Sequence, residues 1–464
     1  MSVMETYIAS NSDRYEKEFF DFLRIPSIST VPANKPDVEA AANWLAALLT
    51  RIGLKPEVIA SKRLPLVYAE TPKVPGKPTV MIYGHFDVQP PDPLELWTSP
   101  PFEPTVRGDS VFARGATDDK GQLLTHVYAV EAFMKANMEA DGKLPFQIKM
   151  IFEGEEEVGS DTIEEFVKNH PDKLACDCLI VSDSAMFGPG QPAITYGLRG
   201  IAAFELFLTG PCHDLHSGVF GGSVMNPAIA LSRMLAELID ENGKIRIPYF
   251  YDPVVPLSER ERQQFADLPF DEKDFFAKIK LTEGVGEHGY TTLERRWARP
   301  TFDINGLTAG YQGEGSKTVL PSKASAKITF RLVPKQDPKE IHKNLEAYLK
   351  SICPPGITMD LQYQHGAPGL LVSLDSPFVE AAANALEKTF AVPPLFIREG
   401  GSIPIITLMS EVLDADVLLI GWGQDDDNLH APNEKFSLLS FHHGISASVR
   451  LLQEIAQRKD AGPR

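Results

Sequence analysis

Histidine and carboxylate side chains are concentrated in three short runs of this chain: Gly84-His85-Phe86-Asp87, Thr117-Asp118-Asp119-Lys120-Gly121 and Glu155-Glu156-Glu157. The runs follow one another at intervals of roughly 30–40 residues, the spacing expected of successive strand–helix units. Imidazole nitrogens and carboxylate oxygens are ligands that Zn²⁺, Mn²⁺ and Co²⁺ accept. The pattern therefore predicts a site for divalent cations.

A cluster of two ions fits these residue types best, because one carboxylate can be shared between both ions. The candidate ligands all lie at predicted strand ends or in the loops beside them: His85, Asp118, Glu157, Asp183 and His430. The three adjacent glutamates cannot all be ligands, since neighbouring side chains diverge. One glutamate on the metal and one on a bridging water is the simplest assignment.

Asp87 lies two positions after His85, so in an extended segment it shares the face of that histidine and can accept its N–H. Each candidate also has an ordinary structural explanation. The pair Asp118-Asp119 is typical of a helix N-terminus, the glutamate run of a solvated loop, and Asp87 of a turn before Pro90-Pro91. The coincidence of five candidate ligands at strand ends favours the metal site.

The elements that must position these residues follow from hydrophobic periodicity. Helices are predicted at 37–51, 118–137 and 162–169, and strands at 66–68, 79–83, 146–152 and 178–181. Alternating strands and helices indicate a largely parallel α/β sheet. Loops that leave the carboxyl ends of such strands meet in one crevice, so we expect the candidate ligands to converge there.

The pattern changes after Asp183, where one long alternating strand is predicted at 194–209 and a helix at 227–241, capped by Asn226. Residues 248–300 are less regular, and α/β character returns after residue 375. We therefore predict two domains of the α/β class. Residues 1–193 and 376–464 form a catalytic domain with a mixed, mostly parallel sheet, and residues 194–375 form an inserted α+β domain.

Composition limits the classes of function. The chain has 464 residues, more than one hydrophobic core usually supports, and a formal net charge of −18, which argues against nucleic acid or an anionic membrane as partner. Four cysteines are too few for a disulfide scaffold, and we find no signal-peptide pattern and no apolar run of about 20 residues. We expect a cytoplasmic protein.

The three runs resemble those of the carnosinase and cytosolic nonspecific dipeptidase branch of the dinuclear zinc aminopeptidase-like hydrolases, a family that also includes aminoacylase and glutamate carboxypeptidase relatives. The resemblance continues in order along essentially the whole chain. The further matching motifs are Thr195-Tyr196-Gly197-Leu198-Arg199-Gly200, Asp214-Leu215-His216-Ser217-Gly218, Lys317-Thr318-Val319-Leu320-Pro321, Phe330-Arg331-Leu332-Val333-Pro334 and Gly400-Gly401-Ser402-Ile403-Pro404.

The resemblance implies two metal ions per subunit, with Zn²⁺ expected first and Mn²⁺ or Co²⁺ as alternatives. It assigns the ligands to two sets that share one aspartate: His85, Asp118 and Asp183, and Asp118, Glu157 and His430. Glu156 is then the general base, with Asp87 supporting the catalytic centre. In many relatives the peptide bond that matches Asp118-Asp119 is cis.

The resemblance also implies that the inserted domain is a lid that forms a homodimer. His216 would then act in the active site of the partner subunit, although it could also be an ordinary turn histidine. Arg331, Thr318, Ser402 and the adjoining Gly401 match residues that hold a substrate's terminal carboxylate, which the planar fork of arginine suits. From the strand pattern alone, Arg331 is a solvent-facing residue.

The predicted function is that of a metallopeptidase of the dipeptidase or carboxypeptidase type. Two divalent cations and Glu156 would activate a bridging water that hydrolyses a dipeptide or another short peptide. The alternative is an N-acyl amino acid amidohydrolase, such as a deacetylase or desuccinylase, on the same scaffold. A non-catalytic relative is expected to lack a ligand or the base, and neither is missing here.

Overall fold

The computed structural model describes residues 3–140 and 143–457, which form two compact units. The first unit comprises the described residues of Met1–Tyr196, Val372–Ile397 and Leu408–Arg464. The second comprises Gly197–Leu371 and Arg398–Thr407. The described helices are too short or too polar to cross a lipid bilayer.

Most elements of the first unit precede residue 199. Its helices and strands in this part of the chain are α1 (Val3–Leu23), α2 (Lys35–Arg51), β1 (Glu57–Ile59), β2 (Leu66–Glu70), β3 (Thr79–His85), β4 (Thr105–Arg107), β5 (Ser110–Phe112), α3 (Gln122–Ala140), β6 (Gln147–Glu153), α4 (Asp161–Asn169), α5 (Pro171–Leu174), β7 (Cys178–Val181) and β8 (Ala193–Leu198).

The second unit follows, and the chain then returns to the first. The remaining elements are β9 (Gly200–Thr209), β10 (Leu215–His216), α6 (Ser217–Phe220), α7 (Pro227–Ala236), α8 (Glu259–Ala266), α9 (Glu272–Lys278), α10 (Thr292–Trp297), β11 (Thr301–Ala309), β12 (Val319–Leu320), β13 (Lys323–Leu332), α11 (Pro338–Ile352), β14 (Thr358–Ala367), β15 (Leu370–Leu371), α12 (Pro377–Phe390), β16 (Leu395–Glu399), α13 (Pro404–Leu413), β17 (Asp416–Leu419), β18 (Lys435–Ser437) and α14 (Leu438–Gln457).

The large sheet of the first unit has the strand order β1-β2-β6-β3-β7-β17-β8. The four central strands, β6, β3, β7 and β17, are parallel, whereas β1, β2 and β8 pair antiparallel. Every residue of β3 and β6 is buried, as expected for strands covered on both faces. The α/β class and the mixed sheet are thereby confirmed.

The core of the first unit is built from that sheet and the helices that pack on it. Helix α14 packs against α3 and α12, and α1 packs against α3. Aromatic rings join these helices: Phe19 stacks on Phe441 with ring centroids 4.9 Å apart, and Tyr15 stacks on Tyr128 at 4.1 Å. This packing supports the strand ends that carry the candidate ligands.

The second unit contains a four-stranded antiparallel sheet of order β11-β13-β9-β14. Helix α11 begins with Pro338 after Asp337, whose Oδ1 accepts the N–H of Lys339 at 2.8 Å. One face of α11 buries Ile341, Leu345 and Leu349 in the core of this unit. A separate pair of short strands, β10 and β12, carries His216.

Three predicted elements were wrong in their bounds. The strand predicted at 194–209 is two strands separated at Arg199, because β8 pairs with β17 in the large sheet whereas β9 pairs with β13 and β14 in the four-stranded sheet. The helix predicted at 227–241 ends at Ala236, where the chain turns to pair Ile239 with Ile245. Asn226 does cap it, accepting the N–H of Ala228 at 2.8 Å.

The third difference is the start of α3. The helix predicted from Asp118 begins at Gln122, because Asp118 has φ −113° and ψ 93°, outside the helical region. The region predicted as less regular, 248–300, contains the short helices α8, α9 and α10. Residues 398–407 lie with the second unit, where Arg331 Nη1 donates to Ser402 Oγ at 3.0 Å.

Candidate metal centre

Three candidate ligands lie at neighbouring strand ends. His85 is the last residue of β3, Glu157 lies in a short turn after β6, and Asp183 lies two residues beyond β7. Strand β3 pairs in parallel with both β6 and β7. The carboxyl ends of all three strands therefore meet at one edge of the sheet, as the sequence pattern predicts.

The other two candidates reach the same place from irregular segments. Asp118 lies in the kinked turn Thr117–Gly121, and its peptide bond to Asp119 is cis, as the family resemblance implied. His430 lies in the loop before β18 and has a positive φ of 58°. The backbone N–H of His85 donates to Asp119 Oδ2 at 3.2 Å, which joins the turn to the end of β3.

The five residues form two groups in which one ligand atom of each residue lies within 4.8 Å of the others: His85, Asp118 and Asp183, and Asp118, Glu157 and His430. Asp118 belongs to both groups through different oxygens. Its Oδ1 lies 3.0 Å from His85 Nε2, and its Oδ2 lies 2.9 Å from His430 Nε2. This is the placement that a carboxylate shared by two cations requires.

The contacts of His85 fit a metal ligand. Its Nε2 is buried and has no aligned hydrogen-bond partner among the described residues, although Asp118 Oδ1 is 3.0 Å away. Buried polar atoms of this kind are rare in native proteins and call for an explanation such as an ion. Two imidazoles and three carboxylates are also the donor types that Zn²⁺ and similar ions accept.

Asp87 contacts both the histidine and the acidic run. The Nδ1 of His85 lies 3.2 Å from the carbonyl oxygen of Asp87 and 3.4 Å from its Oδ1. The carboxylate of Asp87 accepts the backbone N–H groups of Glu156 and Glu157, at 3.2 and 3.1 Å. The side chain is fully buried, so it orients the imidazole and the glutamate turn together.

The three adjacent glutamates have different surroundings. Glu155 accepts Arg63 Nη1 at 3.0 Å and the N–H of Thr162 at 3.1 Å, so it anchors the turn. Glu157 Oε2 lies 3.4 Å from His430 Nε2 and accepts Gln89 Nε2 at 2.8 Å. Glu156 belongs to neither metal group. The sequence left open which glutamate would bind a metal and which would act on the water. These contacts favour Glu157 as the ligand and leave Glu156 for the water.

The carboxylates and imidazoles of the site shift one another's pKa values. Burial raises the pKa of Glu156 well above its ordinary value, and the nearby carboxylates of Asp183 and Glu157 raise it further. The Asp118 and Glu157 carboxylates raise the pKa of His430 to about 10. Burial acts to raise the pKa of Asp118, but His430 and His85 lower it below the ordinary value. The carboxylates thus raise the pKa of Glu156 and of His430, whereas the two imidazoles lower that of Asp118.

The remaining sequence candidates form two pairs in the second unit. His216 lies on β10 beside β12, and the N–H of Ser217 donates to the carbonyl oxygen of Thr318 at 3.1 Å. Arg331 is bonded to Ser402, next to Gly401. The guanidinium of Arg331 is half-buried, and burial lowers its pKa. The solvent-facing position that its strand pattern alone indicates is therefore only partly correct.

Sequence reasoning missed several residues that touch the candidate ligands. Gln89 bonds Glu157, and Glu434 accepts the backbone N–H of Asp118 at 3.2 Å. Gln89 lies two residues after Asp87 and Glu434 lies four residues after His430, so their position was visible in the sequence. Their partners were not, because Glu434 lies 316 residues from Asp118 along the chain.

An α/β sheet whose strand ends carry two groups of candidate metal ligands sharing one aspartate is the arrangement expected of a dinuclear metallohydrolase. The pattern of Peptidase family M20/M25/M40 matches residues 81–454. The chain belongs to this family, which confirms the predicted resemblance.

Similar proteins extend over almost the full chain. The Cys-Gly metallodipeptidase dug1 of Schizosaccharomyces pombe is 31% identical over 98% of this chain and 99% of the relative. The Beta-Ala-His dipeptidase of Homo sapiens is 30% identical over 97% of this chain and 92% of the relative. The M20 family metallo-carboxypeptidase Sso-CP2 from Sulfolobus solfataricus superposes with a TM-score of 0.84 at 31% identity, covering 95% of this chain and 99% of that one.

The shared position of Asp118 leads to a prediction about metal content. The D118N variant should lose both ions on dialysis, because each group loses a charged ligand, whereas D183N should retain one ion in the group of Asp118, Glu157 and His430. Elemental analysis of the dialysed proteins gives the number of ions per chain. Glu164→Gln, on the exposed surface of α4, is the control and should retain both. Equal loss from D118N and D183N would contradict a shared ligand.

Proposed function

We propose that this protein is a metal-dependent peptidase that hydrolyses dipeptides or similarly short peptides. The observation that carries the proposal is the position of Asp118 between two histidines, with the half-buried Glu156 beside both metal groups. Cys-Gly and beta-Ala-His, in the names of the relatives, are dipeptides, which favours this substrate class over N-acyl amino acids.

The residues that would hold the ions are His85, Asp118 and Asp183 for one, and Asp118, Glu157 and His430 for the other. Two bound divalent cations supply Lewis-acid polarisation of a carbonyl group and acidify a water molecule. Zn²⁺ suits this mixed set of imidazoles and carboxylates, and Mn²⁺ or Co²⁺ suits it as well.

Glu156 is the proposed general base. It takes a proton from the attacking water and gives that proton to the leaving amine. Its raised pKa fits this role, because a carboxylate of ordinary pKa is too weak a base to accept a proton readily near neutral pH. Asp87 positions the turn of Glu156 by accepting its backbone N–H.

Arg331 and Ser402 are proposed to bind the carboxylate of the substrate. Gly401, next to Ser402, is proposed to line the same site. Arg331 Nη1 donates to Ser402 Oγ, and the carboxylate of Asp303 acts to raise the pKa of this guanidinium against the effect of burial. A half-buried arginine with a planar fork of donors is suited to an anionic ligand. An added Cβ at Gly401 would face open space in the described structure.

His216 is proposed to act in the partner active site of a homodimer. Its Nδ1 accepts the N–H of Gly218 at 3.0 Å, so in the neutral ring the proton lies on Nε2, which can donate to a developing oxyanion. Because Ser217 is bonded to Thr318, Thr318 would accompany His216 into the same site.

Exposed apolar residues of the second unit support the homodimer. Val219 and Phe220, directly after His216, are 68% and 40% exposed. Ile304 and Leu307 are exposed on β11, which is an edge strand of its sheet. An edge strand with exposed apolar side chains is suited to pairing with a second copy.

The proposal also places the protein in the cytoplasm, where the four cysteines, free in the described structure, would remain reduced.

The role of Glu156 is tested by the variant E156Q. The change keeps the shape of the side chain but removes its basicity, so kcat should fall by about 10²- to 10⁴-fold. Elemental analysis should show an unchanged metal content. Glu164→Gln, an exposed glutamate of α4, is the control and should retain full activity. Normal turnover by E156Q would exclude it as the base.

The role of His216 is tested by mixing two inactive proteins, E156Q and H216A. A heterodimer then contains one site with both an intact Glu156 and an intact His216 from the other subunit. Each parent should lose at least about 10²-fold in kcat, whereas the mixture should regain part of the activity. Subunit exchange is verified with tagged chains, and exchange without recovery would refute action across subunits.

The role of Arg331 is tested by comparing a dipeptide, its C-terminal amide, and N-acetyl and N-succinyl amino acids. The free dipeptide should be the best substrate. Arg331→Lys loses the bidentate fork, so kcat/KM for the free dipeptide should fall by about 10- to 100-fold. The ratio of kcat/KM for the free dipeptide to kcat/KM for its C-terminal amide should fall as well. An unchanged preference would place carboxylate recognition elsewhere, and faster cleavage of the acyl amino acids would favour an amidohydrolase.

A further inference from the structure

Glu434 presents a buried carboxylate to the backbone of the segment that carries Asp118. Its Oε2 accepts the N–H of Gly115 at 2.9 Å, and its Oε1 accepts those of Thr117 and Asp118 at 3.0 and 3.2 Å. The residue is 0% exposed. One side chain therefore sets the path of the backbone from residue 115 to residue 118.

Arg114 completes the arrangement. Its Nη1 donates to Glu434 Oε2 at 2.7 Å, so the carboxylate receives four N–H donors, about the number that its lone pairs can accept. The Nη2 of Arg114 donates to the carbonyl oxygens of Pro90 and Ala431, at 3.2 and 3.3 Å. Pro90 lies in the segment after His85, and Ala431 directly follows His430.

Strand pairing brings these two residues together. Lys435 of β18 pairs with Phe112 of β5, and the N–H of Ala113 donates to the carbonyl oxygen of Glu434 at 3.1 Å. Glu434 therefore lies just before one strand and Arg114 just after the other. The pair joins the loops of three candidate ligands: His85, Asp118 and His430.

A purely stabilising function does not account for this ion pair. Removing two charges from water is costly, and a buried pair is often no more stable than apolar residues of similar size. A buried pair that makes several hydrogen bonds to the backbone does, however, restrict those neighbours to one geometry. Here the restricted neighbours are the backbone of Asp118 and the loops that follow His85 and His430.

We propose that Glu434 and Arg114 are positioning residues that set the geometry of the metal centre. Neither side chain belongs to a metal group; both act through the ligand loops. The inference rests on the metal-binding part of the proposed function. It predicts that loss of the Glu434 charge weakens metal binding without removing a ligand.

The test compares Glu434→Gln with Glu131→Gln in the full-length protein. Glu131 is a matched control, because it is also a nearly buried carboxylate paired with an arginine, with Oε1 2.8 Å from Arg14 Nη2, but it contacts no ligand loop. Zn²⁺ affinity is measured by competition with a chelator, and the thermal midpoint is measured on the metal-free proteins.

E434Q should bind Zn²⁺ about 10- to 100-fold more weakly than the parent, the usual effect of losing a residue that orients ligands. E131Q should bind Zn²⁺ like the parent, although the thermal midpoint of either metal-free variant is expected to fall. Excess Zn²⁺ should restore most of the kcat of E434Q. Unchanged Zn²⁺ affinity in E434Q, or equal weakening in E131Q, would overturn the inference.

Arg114→Lys provides a second variant if E434Q does not fold. It keeps the positive charge but cannot reach Glu434, Pro90 and Ala431 together, so Zn²⁺ affinity should again fall relative to E131Q; parent-like affinity would also overturn the inference. Zn²⁺ binding by the parent protein distinguishes a failure of the proposed function from a failure of this inference. A parent that binds no Zn²⁺ defeats the proposed function itself, whereas a parent and variants that bind equally defeat only the role of Glu434 and Arg114.

Discussion

The structure of the site depends on a single carboxylate, Asp118, held between two imidazoles. Burial opposes a charge at this position, and His85 and His430, on opposite oxygens, compensate for it. To place one residue between two others, the fold must hold a strand end, a kinked turn and a distant loop together. The cis peptide, the Asp87 contacts and the Glu434 pair all occur within these segments.

The glutamate run shows how local geometry divides chemically identical side chains among different roles. Glu155 is neutralised by Arg63, Glu157 faces His430, and Glu156 is left among carboxylates that raise its pKa. The turn after β6 separates the three side chains, and Asp87 holds that turn in place. In the proposed mechanism, these adjacent residues therefore supply an anchor, a ligand and a base.

Much of the fold and of the metal centre was predictable because both depend on local patterns. Continuous apolar runs predicted β3, β6 and β7 closely, and their parallel pairing brought the ligands to one edge. The errors lay where distant contacts override periodicity. The alternating pattern at 194–209 continues through Arg199, but β8 and β9 pair with strands of different sheets, so two separate strands form there. The start of α3 is likewise set by the position of Asp118.

The sequence by itself determined the residue types of the site, their order along the chain and the α/β class, since these follow from composition and short-range periodicity. Only the tertiary structure decided the partners. It bonded Thr318 to Ser217, next to His216, and Ser402 to Arg331, and it placed Glu434 against Arg114, 320 residues away. Such pairings arise from strand register and loop packing, which no local pattern encodes.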